Sequence, residues 1–368
     1  MKILIVQDRL RSGGTERQSI LLSRAFAAAQ HPTTLLTFRP QGALASTVDP
    51  AVTRIVLQPF DVGLDWFAPG LLRTVRHFAP DVVLCMGRMA NCYAGRLVGV
   101  RSTAAIVATM RTGKPLPILF RRSLRRVTHI VANSHDARSC LVSAHHIEAA
   151  KISVIHNSLV FPAPFASGHP DSSRDTLRAR HGATAATNIL LNVAMFRPEK
   201  NQRELLHLAA ALPATADWHL WLAGDGPTRA ACERLAARLS LMSHVRFVGF
   251  HRDPAPLYAA ADVAVHTSAS ESLSNFLIEA QAHGLPAVAY AAQGIAECFV
   301  PGHTGWAIPS NDRAAFLAAL TPLLVAAPAE RSVRAASARA FARTTFDPAR
   351  QSAAYLDLFS RLISTLRS

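Results

Sequence analysis

Two glutamates, Glu271 and Glu279, stand eight positions apart in the stretch ESLSNFLIEA. The run before them, DVAVHTSAS, starts as an apolar strand over 263–266 and passes through a small polar loop. The run after them stops near Gly284, with Pro286 beyond, as a helix ending at a glycine does. With Ser274 or Asn275 as N-cap, Glu271 falls in the loop and Glu279 at the end of the first helical turn. The N–H groups between them then lie at the positive end of the helix dipole, a position suited to phosphate. A carboxylate cannot itself favour phosphate, so the two acids suit hydroxyl groups beside it, those of a sugar or a ribose. The spacing alone also fits a first-turn acid answering the dipole and a surface acid in a loop.

Other residues in strand-to-helix loops point the same way. NVAMFRPEKNQ places Arg197 and Lys200 three apart just past a strand, where both can neutralise a diphosphate. LAGDGP puts Gly224 in a glycine turn at the end of the next strand, where bare backbone permits close approach; Asp225 reads as part of the turn itself. In DRLRSGGTERQ, Gly13 and Gly14 leave bare backbone before Thr15, which could cap the first helix. This is a phosphate-type loop, though neither GxGxxG nor a P-loop. No metal-ligand cluster is evident, and none is expected. The cysteines at 85, 92, 140, 232 and 298 are scattered and never form CxxC, so the pattern fits a reducing cytoplasm.

Short Val, Ile and Leu runs alternate with helical stretches: KILIV, ERQSILLSRAFAAA, TTLLTF, GLLRTVRHF, DVVLCM, AAIVATM, HIVANS. Strands apolar on both faces imply a parallel sheet covered by helices. The Pro- and Ser-rich stretch 161–173 reads as a linker. The alternation then restarts with NILLNVAMF (188–196), WHLWLAG (218–224), VRFVGF and PAVAY. A chain of 368 residues accommodates two such domains. Ligands of open α/β sheets bind at the carboxyl ends of the strands, so a cleft between two facing lobes is expected. The last stretch, FDPARQSAAYLDLFSRLISTL, is an amphipathic helix that needs a surface to cover.

The net charge of +15 is uneven: residues 1–167 carry 20 Lys and Arg against 8 Asp and Glu, and residues 168–368 carry 19 against 16. In PILFRRSLRRVTHI, Arg121, Arg122, Arg125 and Arg126 line one side of a helix flanked by Ile118, Leu119, Phe120 and Leu124. Such a segment can rest on anionic lipid headgroups, or be a surface helix covering its own sheet. No apolar run reaches the length of a membrane-spanning helix, and MKILIV is too soon followed by Asp8 and Arg9 to be a signal peptide. The basic pI raises nucleic acid as a partner, but few aromatic residues and no recognition motif argue against it.

Taken together, the chain resembles retaining glycosyltransferases of the GT-B fold, and most closely family 4, the group 1 family. The resemblance runs over nearly the whole chain. It is most specific in ADVAVHTSASESLSNFLIEAQAHGLPAVAYAAQGIAECFVPGHTGWAIP, with its E-x7-E element, and is supported by RPEKN, GDGP, GGTERQ and VIHNSL. It implies two Rossmann-like doubly wound α/β domains facing across a cleft: 1–160 on the acceptor side, 174–345 on the donor side, and a helix over 346–368 returning to the first.

The resemblance further implies a nucleotide diphosphate-sugar donor, with UDP the default and GDP the alternative. Glu279 would hold the ribose and Glu271 the transferred sugar. Arg197 and Lys200 would hold the diphosphate with N–H groups of Ser274, Asn275 and Phe276, and Gly13 and Gly14 would approach from the other lobe. His251 lies where the base would sit. Neither a metal nor any other cofactor is implied, and the acceptor would be a glycan or lipid-linked hydroxyl in cell-surface polysaccharide or lipopolysaccharide assembly.

Retention in this family is usually explained by attack on the face from which the leaving group departs, with Glu271 as nucleophile the rival mechanism. The chain departs from the family pattern in Leu273-Ser274, in Ser158 where a glycine is usual, and in Arg111 and Lys114 where many members carry an acceptor-side histidine. A silent sugar-nucleotide binder or a GT-B epimerase is the alternative reading.

Overall fold

The computed structural model describes residues 1–11, 13–100, 103–161, 174–213 and 216–367. Apart from Phe161, the expected linker over 161–173 lies outside them. The chain forms two compact units, Met1–Ser158 with Phe346–Ser368, and Leu159–Thr345.

The first unit is built on seven parallel strands: β1 (Ile3–Gln7), β2 (Thr33–Thr37), β3 (Thr53–Val56), β4 (Val82–Cys85), β5 (Ala105–Met110), β6 (His129–Ala132) and β7 (Ile152–Val154), in the order β3-β2-β1-β4-β5-β6-β7. Every residue of β1, β2, β4, β5 and β6 is buried, as expected of strands covered on both faces. Alternation divides them between two cores. Leu4 and Val6 pack with Phe120 and Leu124 on one face, Ile3 and Ile5 with Phe26 and Leu358 on the other.

The terminal helix Pro348–Arg367 covers part of the second face. Its buried Tyr355, Leu358, Phe359 and Ile363 recur at helical spacing, and Phe26 meets the rings of Tyr355 and Phe359 edge-on at 6.1 and 5.7 Å. The helix is also pinned by a buried polar cluster. Gln18 Nε2 donates to the Ser158 carbonyl (2.7 Å), the Ser158 hydroxyl donates to Gln351 Oε1 (2.7 Å), and Gln351 Nε2 donates to Gln18 Oε1 (3.0 Å). Serine in place of the usual glycine thus supplies a donor that this cluster uses.

The strand order reverses direction between β1 and β4, and Asp8 sits there. Its carboxylate accepts from the N–H groups of Met89 (2.9 Å) and Ala90 (2.7 Å), capping the helix Arg88–Leu97. Burial pushes its pKa up to about 6, against the pull of those two N–H groups. Gly87 is required beside it, since a Cβ there would fall 2.2 Å from Asp8 Oδ1.

The second unit has six parallel strands: β8 (Asn188–Val193), β9 (Trp218–Ala223), β10 (Val245–Gly249), β11 (Val263–His266), β12 (Ala287–Tyr290) and β13 (Gly305–Ile308), in the order β10-β9-β8-β11-β12-β13. Its switch point lies between β8 and β11. NILLNVAMF is strand only as far as Val193, and the residues after it turn into the loop that carries Arg197 and Lys200.

Candidate functional site

The loops after β8 and β11 leave adjacent strands at the switch point and are laced together. Ala269 N–H and the Ser268 hydroxyl donate to the Glu199 carbonyl (2.9 and 3.0 Å), and the Thr267 hydroxyl donates to that of Asn201 (2.9 Å). The β8 loop closes in a tight helical turn, Pro198–Lys200, with Arg197 as its N-cap. Arg197 enters this turn in extended backbone (φ −127°, ψ 154°) and Lys200 ends it. Asn201 then takes a left-handed φ of +51° and starts the helix Gln202–Ala210.

Lys200 Nζ donates to Glu271 Oε1 at 2.5 Å, and His266 Nε2, at the end of β11, bonds the same oxygen at 2.8 Å. The other ring nitrogen of His266 faces Asn192 Nδ2 at 3.5 Å, which favours the tautomer with the proton on Nε2, directed at Glu271. The Glu271 side chain is 10% exposed and that of His266 1%. Burial alone would raise the Glu271 pKa; the Lys200 ammonium and the His266 hydrogen bond outweigh it and hold the carboxyl at about 2. The Arg197 guanidinium, half-buried, makes no hydrogen bond or ion pair among the described residues.

The helix after Glu271 spans Asn275–Ala282. Ser274 caps it, its hydroxyl accepting from Leu277 N–H. Glu279 therefore lies at the fifth helical position rather than at the end of the first turn, and the first turn holds no acid. The Tyr258 hydroxyl donates to Glu279 Oε2 at 2.6 Å. The Tyr258 ring stacks between Phe276 (6.0 Å) and His283 (5.0 Å), and Phe276 also packs on His266 (5.6 Å). The two acids are thus tied into one aromatic and polar scaffold.

The glycine turn sits beneath this loop. Gly224 has φ +140° and a Cβ there would lie 2.0 Å from the Ala194 carbonyl oxygen; at Gly226, φ +150°, it would lie 2.4 Å from that of Phe196. The close approach expected of Gly224 is made here to the backbone of the cation loop. His251 follows the edge strand β10, with Nε2 bonded to the Val248 carbonyl (3.2 Å).

Comparisons with known proteins place this arrangement. Residues 173–339 match the family model for glycosyl transferases group 1, and residues 12–159 match that for glycosyltransferase family 4. The chain belongs to the group 1, family 4 glycosyltransferases. Its fold is the two-domain α/β GT-B fold of that family: Anabaena HepE, crystallised with UDP and glucose, superposes with a TM-score of 0.81 at 22% identity, over 98% of this chain and 99% of that one.

The lipopolysaccharide core biosynthesis glycosyltransferase LpsE of Rhizobium meliloti is 31% identical over 147 residues, which is 40% of this chain and 42% of that relative's own length. A D-inositol 3-phosphate glycosyltransferase of Mycolicibacterium paratuberculosis is 29% identical over 92% of this chain and 81% of its own.

In the first unit of this family member, the expected residues take other partners. The first helix starts at Gly14 with Gly13 as N-cap, so Thr15 lies inside it and does not cap it. The Glu16 carboxylate lies against Gly13, within 2.4 Å of where a Cβ would stand. Arg111 donates to Asn157 Oδ1 and, at 2.8 Å, to the Tyr355 hydroxyl of the terminal helix, while its Nε is buried without a partner. Lys114 is half-buried, its N–H donating to the Thr112 hydroxyl at 3.1 Å. Arg121, Arg122, Arg125 and Arg126 are all exposed on the helix Ile118–Arg126, which buries Phe120, Ser123 and Leu124.

Sequence reasoning missed His266, Asn192 and Tyr258. The one available signal was a histidine ending an apolar strand five residues before Glu271.

Proposed function

We propose that the chain transfers a sugar, with retention of anomeric configuration, from a nucleotide diphosphate-sugar to a hydroxyl of a glycan or lipid-linked acceptor. The observation that carries this reading is the Lys200–Glu271–His266 cluster at the switch point, beside the capped helix that bears Glu279. Breaking the sugar–phosphate bond leaves negative charge on the diphosphate. Arg197, Lys200 and the first N–H groups of the helix, those of Ser274, Asn275 and Phe276, stabilise that charge without reorganising. They supply what a divalent ion would, so the reaction needs none.

Glu271 accepts from hydroxyls of the transferred sugar and Glu279 from the ribose. With Oε1 bonded twice and its basicity lowered, Glu271 is a weak nucleophile. That favours same-face attack, in which a diphosphate oxygen takes the acceptor's proton. HepE was crystallised with UDP and glucose, and LpsE is named for lipopolysaccharide core biosynthesis; both support a UDP-sugar and a cell-surface glycan.

UDP at a hundredfold excess over its Kd is expected to stabilise the protein by about 2.7 kcal/mol, seen as a rise in Tm. A flat Tm with UDP, GDP and other nucleoside diphosphates alike rejects the donor reading.

We also place the enzyme on the cytoplasmic face of a membrane, held through its exposed arginines. Among the described residues no single helix is long and apolar enough to cross one. Each cation near an anionic surface contributes about 1 kcal/mol. Changing Arg121, Arg122, Arg125 and Arg126 together to Gln should abolish flotation with phosphatidylglycerol vesicles; equal recovery of wild type and variant removes the idea.

A further inference from the structure

The helix Arg88–Leu97 turns Met89, Cys92, Tyr93 and Arg96 to one side, at the i, i+3, i+4, i+7 spacing of a single stripe. They line a pocket of about 260 Å³, whose other walls are Trp66, Pro117 and Leu119.

The pocket is built into the fold. Where the helices Arg88–Leu97 and Ile118–Arg126 touch, the Gly95 N–H donates to Ser123 Oγ (3.0 Å), and that hydroxyl donates to the Cys92 carbonyl (2.8 Å). A Cβ on Gly95 would stand 2.8 Å from Ser123 Cα, so glycine sets this contact. Trp66 is fixed as well: the Tyr93 hydroxyl donates to its carbonyl at 2.6 Å. Its loop is tied by Gln58 to the Leu64 and Phe67 carbonyls and by Arg39 to Asp61 and Asp65.

The surroundings are apolar and basic. Leu119 and Trp66, which line the pocket, are 52% and 57% exposed, and the adjoining Ile118 60%, so apolar surface continues from the pocket to its rim. The two helices carry six arginines and no acid.

We propose that this pocket takes the hydrocarbon chain of an amphiphile with a phosphate-type headgroup, the head lying toward Arg96 and the arginines of the neighbouring helix. The proposal deepens the acceptor and membrane half of the proposed function and is independent of the donor site. Such a chain comes either from a bilayer phospholipid or from a phosphate-linked lipid carrier. Each methylene buried should tighten binding about fourfold at most.

The test titrates the full chain with hexyl phosphate, decyl phosphate and decanol below their aggregation limits, and separately with phosphatidylglycerol vesicles carrying a quencher in the acyl chain, reading tryptophan fluorescence. Decyl phosphate is expected to bind at least tenfold more tightly than hexyl phosphate or decanol. Leu119→Glu, a change at an exposed position, should weaken it at least tenfold while leaving the Tm rise with UDP unchanged. Quenching by vesicles without binding of free decyl phosphate assigns the chain to bilayer lipid, and the converse to a carrier-linked amphiphile. Neither signal, equal binding of the two alkyl phosphates, equal binding of decanol, or full affinity in Leu119→Glu would overturn the proposal. Loss of the UDP response in wild type would sink the donor reading alone.

Discussion

Lys200→Ala is expected to lower kcat/KM for the nucleotide-sugar more than tenfold and to destabilise the second unit by about 3–5 kcal/mol. Two causes act together. The variant removes a cation from the developing diphosphate charge, and it strands Glu271, a nearly buried carboxylate, with His266 as its remaining partner among the described residues. The two effects separate in a double variant. Lys200→Met with Glu271→Gln leaves no uncompensated charge, so stability should return while donor use stays low.

The sign of the pH dependence follows from the lowered Glu271 pKa. A carboxyl held at about 2, below its ordinary value, contributes stability that is fully present above about pH 4.5 and lost as pH falls toward 2. The penalty of Lys200→Ala should therefore shrink in denaturant titrations as pH falls below about 4.5, where the unfolded carboxyl takes up a proton. Unchanged donor kinetics would remove Lys200 from the diphosphate site, and unchanged stability would remove the ion pair.

What the sequence revealed and what it hid follow from burial. Strands covered on both faces, such as β1, β4, β5 and β9, announce themselves as continuous apolar runs. The strands left unread, β3, β7 and β13, all lie at sheet edges, where exposed residues such as Thr53 and Arg54 and half-buried ones such as Ser153 and Trp306 break that signature.

The site shows the same division. Glu271, Lys200 and the Ser274 cap were legible because cap chemistry and loop placement are local. That Lys200 would reach Glu271 depends on β11 lying beside β8, and that Tyr258 would reach Glu279 depends on how the helix Ala255–Ala260 packs, which no local pattern records. Arg111 meets the same limit: nothing near it in the sequence records that the terminal helix, more than two hundred residues away, supplies Tyr355 as its partner.

Glu279→Ala is expected to raise KM for the donor more than tenfold, the loss of a charged hydrogen-bonding partner contributing about 1.5–3 kcal/mol. The structure sets this apart from a mere helix residue. Glu279 is past the first turn, so the dipole gives it little, and alanine is the better helix former at that position. If Glu279 only served its helix, the variant would fold at least as well and use donor normally.

The Tyr258 hydroxyl supports the binding role, since it holds one carboxylate oxygen at 2.6 Å and its ring is fixed by stacking on Phe276 and His283. Tyr258→Phe keeps the charge and loses that orienting bond, so its KM should rise a few-fold, less than for Glu279→Ala. The double variant should be no worse than Glu279→Ala alone, because Tyr258 acts on the donor through the carboxylate. Additive losses would place Tyr258 in contact with the donor itself, and a Glu279→Ala enzyme with wild-type KM would take the ribose role away from this helix.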